Sequence, residues 1–124
     1  MNDQVKKYGL WTIKAFVGLA FIATGSAKLF GAEMMVATFD AIGVGQWFRY
    51  GTGAIEVVGA MLLFAPRKQA VGATLLLCTM VGAVLAHLFI IGPSAVPAVI
   101  LGALTATVLF AHRDQLPKGL HLAA

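Results

Sequence analysis

Residues 70–91 run for 22 positions without a formally charged side chain. A soluble domain can hold such a segment only as a fully buried core element. Yet this chain of 124 residues carries three further apolar runs, at residues 8–30, 46–65 and 94–111. A bilayer core of about 30 Å takes roughly 20 helical residues to cross, so each run predicts a crossing, the fourth near the lower limit of length. Helices are required, because lipid cannot satisfy irregular backbone and the runs lack the alternation of barrel strands. Composition leads the same way: the chain is 60% hydrophobic and 11% charged, too few charges to solvate a globule when an ordinary domain has about 25%. The predicted fold is therefore all-α, an integral membrane four-helix bundle forming a single transmembrane domain over residues 1–124.

The spans are joined by short links. Pro66-Arg67-Lys68-Gln69 separates the second from the third, and Gly92-Pro93 the third from the fourth, with Ser94 as N-cap and Pro97 in the first turn. Such links make consecutive helices antiparallel neighbours. Residues 31–45 differ. Met35, Phe39 and Ile42 recur at i, i+4 and i+7 while Glu33 and Asp40 lie elsewhere on the wheel, which predicts a short interfacial helix stopped by Gly43. Trp47 and Tyr50 then mark the membrane–water belt where the second span begins.

Charge sets the orientation. Lys6, Lys7, Lys14, Arg67, Lys68, Arg113 and Lys118 fall on one side of a four-span chain, and only Lys28 and Arg49 on the other. The positive-inside rule then places both termini in the cytoplasm, with the chain multi-pass in the inner (plasma) membrane. Gly25-Ser26-Ala27 has the small residues of a signal-peptide cleavage site, but Lys14 interrupts the apolar region before it, so the first run is read as a retained span. The basic balance (pI near 9.6) is too dispersed for a nucleic-acid stripe. One cysteine, Cys78, excludes an intrachain disulfide framework or dithiol relay and reads as an inert packing residue. Gly72, Thr79 and Ala86, seven apart, form a small-residue seam. No phosphate loop, nucleophile elbow or metal-ligand spacing is present in the sequence, so neither a metal nor any other cofactor is evident from it.

Ionisable residues inside a span each need an account. Lys14 and Lys28 sit near opposite ends of the first span, where an ammonium snorkels to the headgroups. Glu56 cannot do so. It lies about ten residues into the second span, roughly 12–15 Å deep at 1.5 Å per residue. Its helical neighbours Gly53, Gly59 and Ala60 are the small residues of a tight helix contact, so Glu56 faces the bundle interior. There it is either a neutral acid donating one interhelical hydrogen bond or a carboxylate held by a cation. His87, a turn from the outer end of the third span, is by itself a packing or interfacial histidine. By depth alone, however, Lys28, Glu56 and His87 share the outer half of the bilayer, with Ser26 and Thr24 as further hydrogen-bonding groups. These are the candidate ligand-binding and proton-handling residues.

The pattern resembles a known family. Gly25-Ser26-Ala27-Lys28-Leu29 is similar to the G-x-x-K-[LF] signature of the DoxX-like membrane proteins. The stretch Gly51-Thr52-Gly53-Ala54-Ile55-Glu56-Val57-Val58-Gly59-Ala60 is similar to that family's glutamate-containing helix. The resemblance implies a four-helix inner-membrane protein. Its founding members are membrane subunits of a thiosulfate:quinone oxidoreductase, others serve redox detoxification, and distant eukaryotic ones act as cargo receptors or chaperones. It therefore implies a fold more firmly than a reaction.

Three functions follow as expectations. The first is the membrane subunit of a quinone-linked redox or detoxification system, in which a quinone or lipid occupies an outer-leaflet polar cavity and a redox or membrane subunit is the partner, with homo-oligomers also admitted. Glu56 and His87 would handle protons there, and Lys28 would hold an oxyanion or pair with Glu56. The second is a non-catalytic adaptor or assembly factor in which Glu56 is structural. The third is a small proton-coupled transporter; small multidrug transporters have four spans and one key glutamate, but on the first span, and the strong charge bias here disfavours an antiparallel dimer.

Overall fold

The computed structural model describes residues 2–92 and 94–116. Pro93 of the second link, Lys118 and the 120–124 tail lie outside the described residues. The described chain is all-α, with no strand. Helix α1 (Asp3–Phe30) starts five residues before the expected run. The Asn2 side chain accepts the Gln4 N–H at 2.7 Å and Asp3 occupies the first turn, so polar capping extends the helix beyond its apolar stretch. It ends at Gly31, left-handed at φ 73°, whose N–H returns to the Ala27 and Lys28 carbonyls.

Helix α2 (Glu33–Ile42) follows at once. Phe39, the central residue of its apolar stripe, is buried and packs edge-on against Phe48 at 5.7 Å between centroids. Helix α3 (Gln46–Leu62) is shorter than the 46–65 run, because residues 63–68 turn towards the next helix and Arg67 takes a positive φ of 65°. Helix α4 (Gln69–Ala86) continues as a single π turn over His87–Ile91. Helix α5 (Val96–Ala111) begins two residues after Ser94, whose hydroxyl accepts the Val96 N–H at 3.1 Å. A 3-10 turn, Arg113–Gln115, follows it.

Packing closes the four long helices into a ring: α1 on α3, α3 on α4, α4 on α5, and α5 back on α1. Helix α2 lies across one end, against α3 and the π turn. The shared core is made by Val17 and Phe21 of α1, Leu63 just after α3, Leu76 of α4 and Val108 of α5. The outside of the ring is apolar too, with Phe16, Leu19, Val58, Val81 and Ile100 exposed. Among the described residues, two segments, Asp3–Phe30 and Gln69–Ile91, are long and apolar enough to cross a membrane, while Val96–Ala111 is apolar but shorter. Only 11% of the apolar window of Gln69–Ile91 is buried, so this helix turns most of its apolar surface outward. Cys78 belongs to this outer face. It is exposed rather than packed, because it lies on a different face of α4 from the buried Leu76 and Met80.

Candidate functional site

The site is set by glycines. A Cβ on Gly25 would lie 2.9 Å from the Gly53 carbonyl oxygen and 3.1 Å from Glu56 Cβ. A Cβ on Gly53 would lie 2.9 Å from the Gly25 carbonyl and from Lys28 Cβ. Helices α1 and α3 therefore touch backbone to backbone at this level, as small residues allow. The crossing brings Lys28, one turn after Gly25, opposite Glu56, one turn after Gly53. Lys28 Nζ donates to Glu56 Oε1 at 2.7 Å, with the carboxylate side chain 1% exposed and the lysine 12%.

Each charge has a local reason to be there. Lys28 occupies the last turn of α1, where unpaired carbonyls favour a cation. Glu56 lies between Gly53, which admits α1, and Gly59, where a Cβ would meet Leu76 of α4 at 2.9 Å. Its side chain is buried against α1, where the Thr24 hydroxyl also lies within reach of its carboxylate. An ion pair so enclosed is sustained by geometry, since desolvation of both ions offsets much of their attraction.

A second cation completes the end of α1. Arg49, 5% exposed, donates through Nη1 to the Lys28 carbonyl and through Nε to Gln46 Oε1 at 2.6 Å. Gln46 Nε2 donates in turn to Asp40 Oδ1 at 2.9 Å and to the Val36 carbonyl at 3.1 Å. A continuous polar chain thus runs from exposed Asp40 on α2 to the backbone of Lys28. The sequence reading treats Arg49 only as a topology charge. The available signal was the spacing of Gln46 and Arg49, one turn apart at the start of α3, facing the unpaired last carbonyls of α1.

His87 and Ser26 stand apart from the pair. His87 Nδ1 donates to the Gly92 carbonyl at 2.7 Å, and the Gly92 N–H returns to the His87 carbonyl at 3.0 Å, closing the π turn on itself. The carbonyl can only accept, which places a ring hydrogen on Nδ1. Ser26 is half-buried, and no hydrogen bond or ion pair among the described residues joins it or His87 to Lys28 or Glu56. An apolar groove of about 260 Å³ lies elsewhere, between α4 and α5, lined by Leu77, Val84, Val99 and Gly102 among others.

Comparison with known proteins defines the class. The model of the DoxX-like family matches residues 12–111, and the chain belongs to that family. A Bacillus subtilis (strain 168) protein named "Putative oxidoreductase CatD" is 27% identical over 77 residues, which cover 62% of this chain and 58% of that protein. This chain thus spans just over half the length of that relative. No solved structure matches the chain. The matched family region contains Lys28, Glu56, Arg49 and His87, and both membrane-length helices lie wholly or largely within it.

Proposed function

We propose that the chain is a four-span protein of the inner membrane, with both termini cytoplasmic, acting as the membrane subunit of a quinone-linked redox or detoxification system. The observation that carries this reading is the Lys28–Glu56 pair, enclosed between two helices in a chain apolar inside and outside. The family and the relative named as an oxidoreductase support a redox setting. With a single cysteine in the chain, electrons would come from a partner subunit rather than from a dithiol here. When bound, a quinone supplies the two-electron acceptor chemistry. The chain's own part would be local: Lys28 Nζ would hold a carbonyl oxygen of the bound group, and Glu56 Oε1, released from the pair, would accept a proton and return it.

The test is quinone binding by the purified chain in nanodiscs, followed through quenching of Trp11 and Trp47 fluorescence. Glu56→Gln and Lys28→Met are each expected to weaken affinity at least tenfold while circular dichroism stays helical. Wild-type protein that binds no quinone, or variants that bind as tightly, would overturn the reading. One observation favours the adaptor alternative: at 2.7 Å, against a backbone-to-backbone crossing, the pair is also shaped as a clamp between α1 and α3. On that reading the same substitutions leave ligand affinity untouched, the loss of stability from breaking a buried pair being common to both readings.

A further inference from the structure

At the opposite end of the ring, α1, α4 and the end of α5 enclose a second polar cluster whose needs are unmet. Gln115 fixes its geometry. Its Oε1 accepts the Ala70 backbone N–H at 2.9 Å, and this contact, to a group that can only donate, settles which way the amide faces. Its Nε2 therefore donates, to Gln69 Oε1 at 2.7 Å and towards His112 Nδ1 at 3.4 Å. His112 Nδ1 is thus an acceptor, and the imidazole hydrogen resides on Nε2. That Nε2 is buried and has no hydrogen-bond partner. Burial, and then the nearby Lys14 ammonium, hold the imidazole below its ordinary basicity, against an opposing effect of Asp114, so the neutral tautomer is the one present at pH 7.

Lys14 is the other unmet group. It is 4% exposed, yet the described residues give it no carboxylate and no hydrogen-bond acceptor. Its ammonium rests over the Trp11 ring at 4.6 Å, and Trp11 is itself stacked on Phe64. The other charges nearby do not compensate. Arg113 turns back to the Phe110 carbonyl and ring, and Asp114 is exposed. A buried N–H donor without an acceptor costs about 1–3 kcal/mol if left so, and the Lys14 ammonium beside it likewise has no acceptor among the described residues.

We infer that Lys14 and His112 form a binding site for an anionic, oxygen-rich group of the phosphate class, received between α1 and the end of α5. The shared chemistry is a phosphate oxygen accepting from Lys14 Nζ and His112 Nε2, with Gln115 holding the imidazole in place. It has two natural sources: the headgroup of an anionic phospholipid, or free inorganic phosphate. The lipid source rests on the four-span reading, and the free-anion source does not.

The experiment titrates the full chain with dioleoylphosphatidylglycerol and dioleoylphosphatidylcholine by native mass spectrometry, and separately with inorganic phosphate by calorimetry in phosphatidylcholine nanodiscs. Wild-type protein is expected to bind one phosphatidylglycerol at least tenfold more tightly than phosphatidylcholine. Lys14→Met, which keeps the apolar stem, is expected to abolish that preference. Arg67→Gln, an exposed cation in the α3–α4 turn, is expected to leave it within twofold. His112→Gln supplies an independent variant, with a three- to tenfold loss. Phosphate binding that depends on Lys14, without a phospholipid preference, assigns the site to the free anion. Anion binding that is absent from wild-type protein, or indifferent to Lys14→Met, overturns the proposal.

Discussion

Glu56 is 1% exposed, so the consequence of removing either member of its pair depends on the ion left behind. Breaking one side of a buried pair strands an uncompensated charge, at a cost of roughly 3 kcal/mol or more. Replacing both ions by apolar groups of similar volume costs far less. Lys28→Met and Glu56→Leu are each expected to lower stability by about that amount, and the double variant by clearly less than their sum, as unfolding in mixed detergent micelles would show. Strictly additive losses would mean that the 2.7 Å contact contributes no coupling. His112 gives a second residue-scale expectation. Its imidazole is less basic folded than unfolded, so the unfolded chain binds more protons below the ordinary value of about 6.5. Stability should therefore fall as pH drops through that value towards the lower folded one, and His112→Gln should flatten the decline. Thermal midpoints across that pH window give the comparison.

At the scale of elements, two glycine pairs decide how closely the helices approach. Gly25 and Gly53 join α1 to α3. Gly59 and Gly72 join α3 to α4, where a Cβ on Gly72 would sit 2.6 Å from the Gly59 carbonyl oxygen and 2.8 Å from Leu62 Cβ. At Gly53 and Gly72 the clashing atoms include a backbone carbonyl oxygen and a Cβ of the facing helix, neither of which can rotate away. Gly53→Ala and Gly72→Ala are accordingly expected to cost about 1–3 kcal/mol by forcing the helices apart. Gly51→Ala and Gly82→Ala, whose added carbons meet nothing within 4 Å, should be neutral or stabilising by up to about 1 kcal/mol through helix propensity. Equal effects at all four sites would remove the glycine crossings as the determinant of helix spacing.

Much of this was legible in the sequence. Gly53, Gly59 and Ala60 flanking Glu56 mark a face that must be packed, and Met35, Phe39 and Ile42 mark α2. The partners were not legible. Depth along a helix places His87 near Lys28 and Glu56, but rotation about the axis is set by long-range packing, and the π turn gives the imidazole a local carbonyl instead. Likewise, the Arg49 bond to the Lys28 carbonyl depends on how Gly31 folds α1 back towards α3. A carbonyl with a free lone pair leaves no mark in a sequence.

For the whole molecule, the fold sharpens the charge asymmetry on which the proposed orientation rests. Of the two basic residues at the α2 end, Lys28 is paired with Glu56, and Arg49 is bonded to the Lys28 carbonyl and Gln46. Neither is free at the surface, whereas Glu33 and Asp40 are exposed there. The opposite end shows Lys6, Lys7, Arg67 and Lys68 to solvent. Among the described residues, free positive charge is therefore confined to one end of the ring, the arrangement from which the positive-inside rule predicts a fixed topology. In a Cys78→Ala background, single cysteines at Gln4 and Pro66 are expected to resist a membrane-impermeant maleimide in intact cells and to react once the membrane is opened. A cysteine at Ala41, exposed on α2, should react without opening. Because α1 alone separates Gln4 from α2, labelling of positions 4 and 41 from the same side would mean that α1 does not cross, and the four-span arrangement would fall with it.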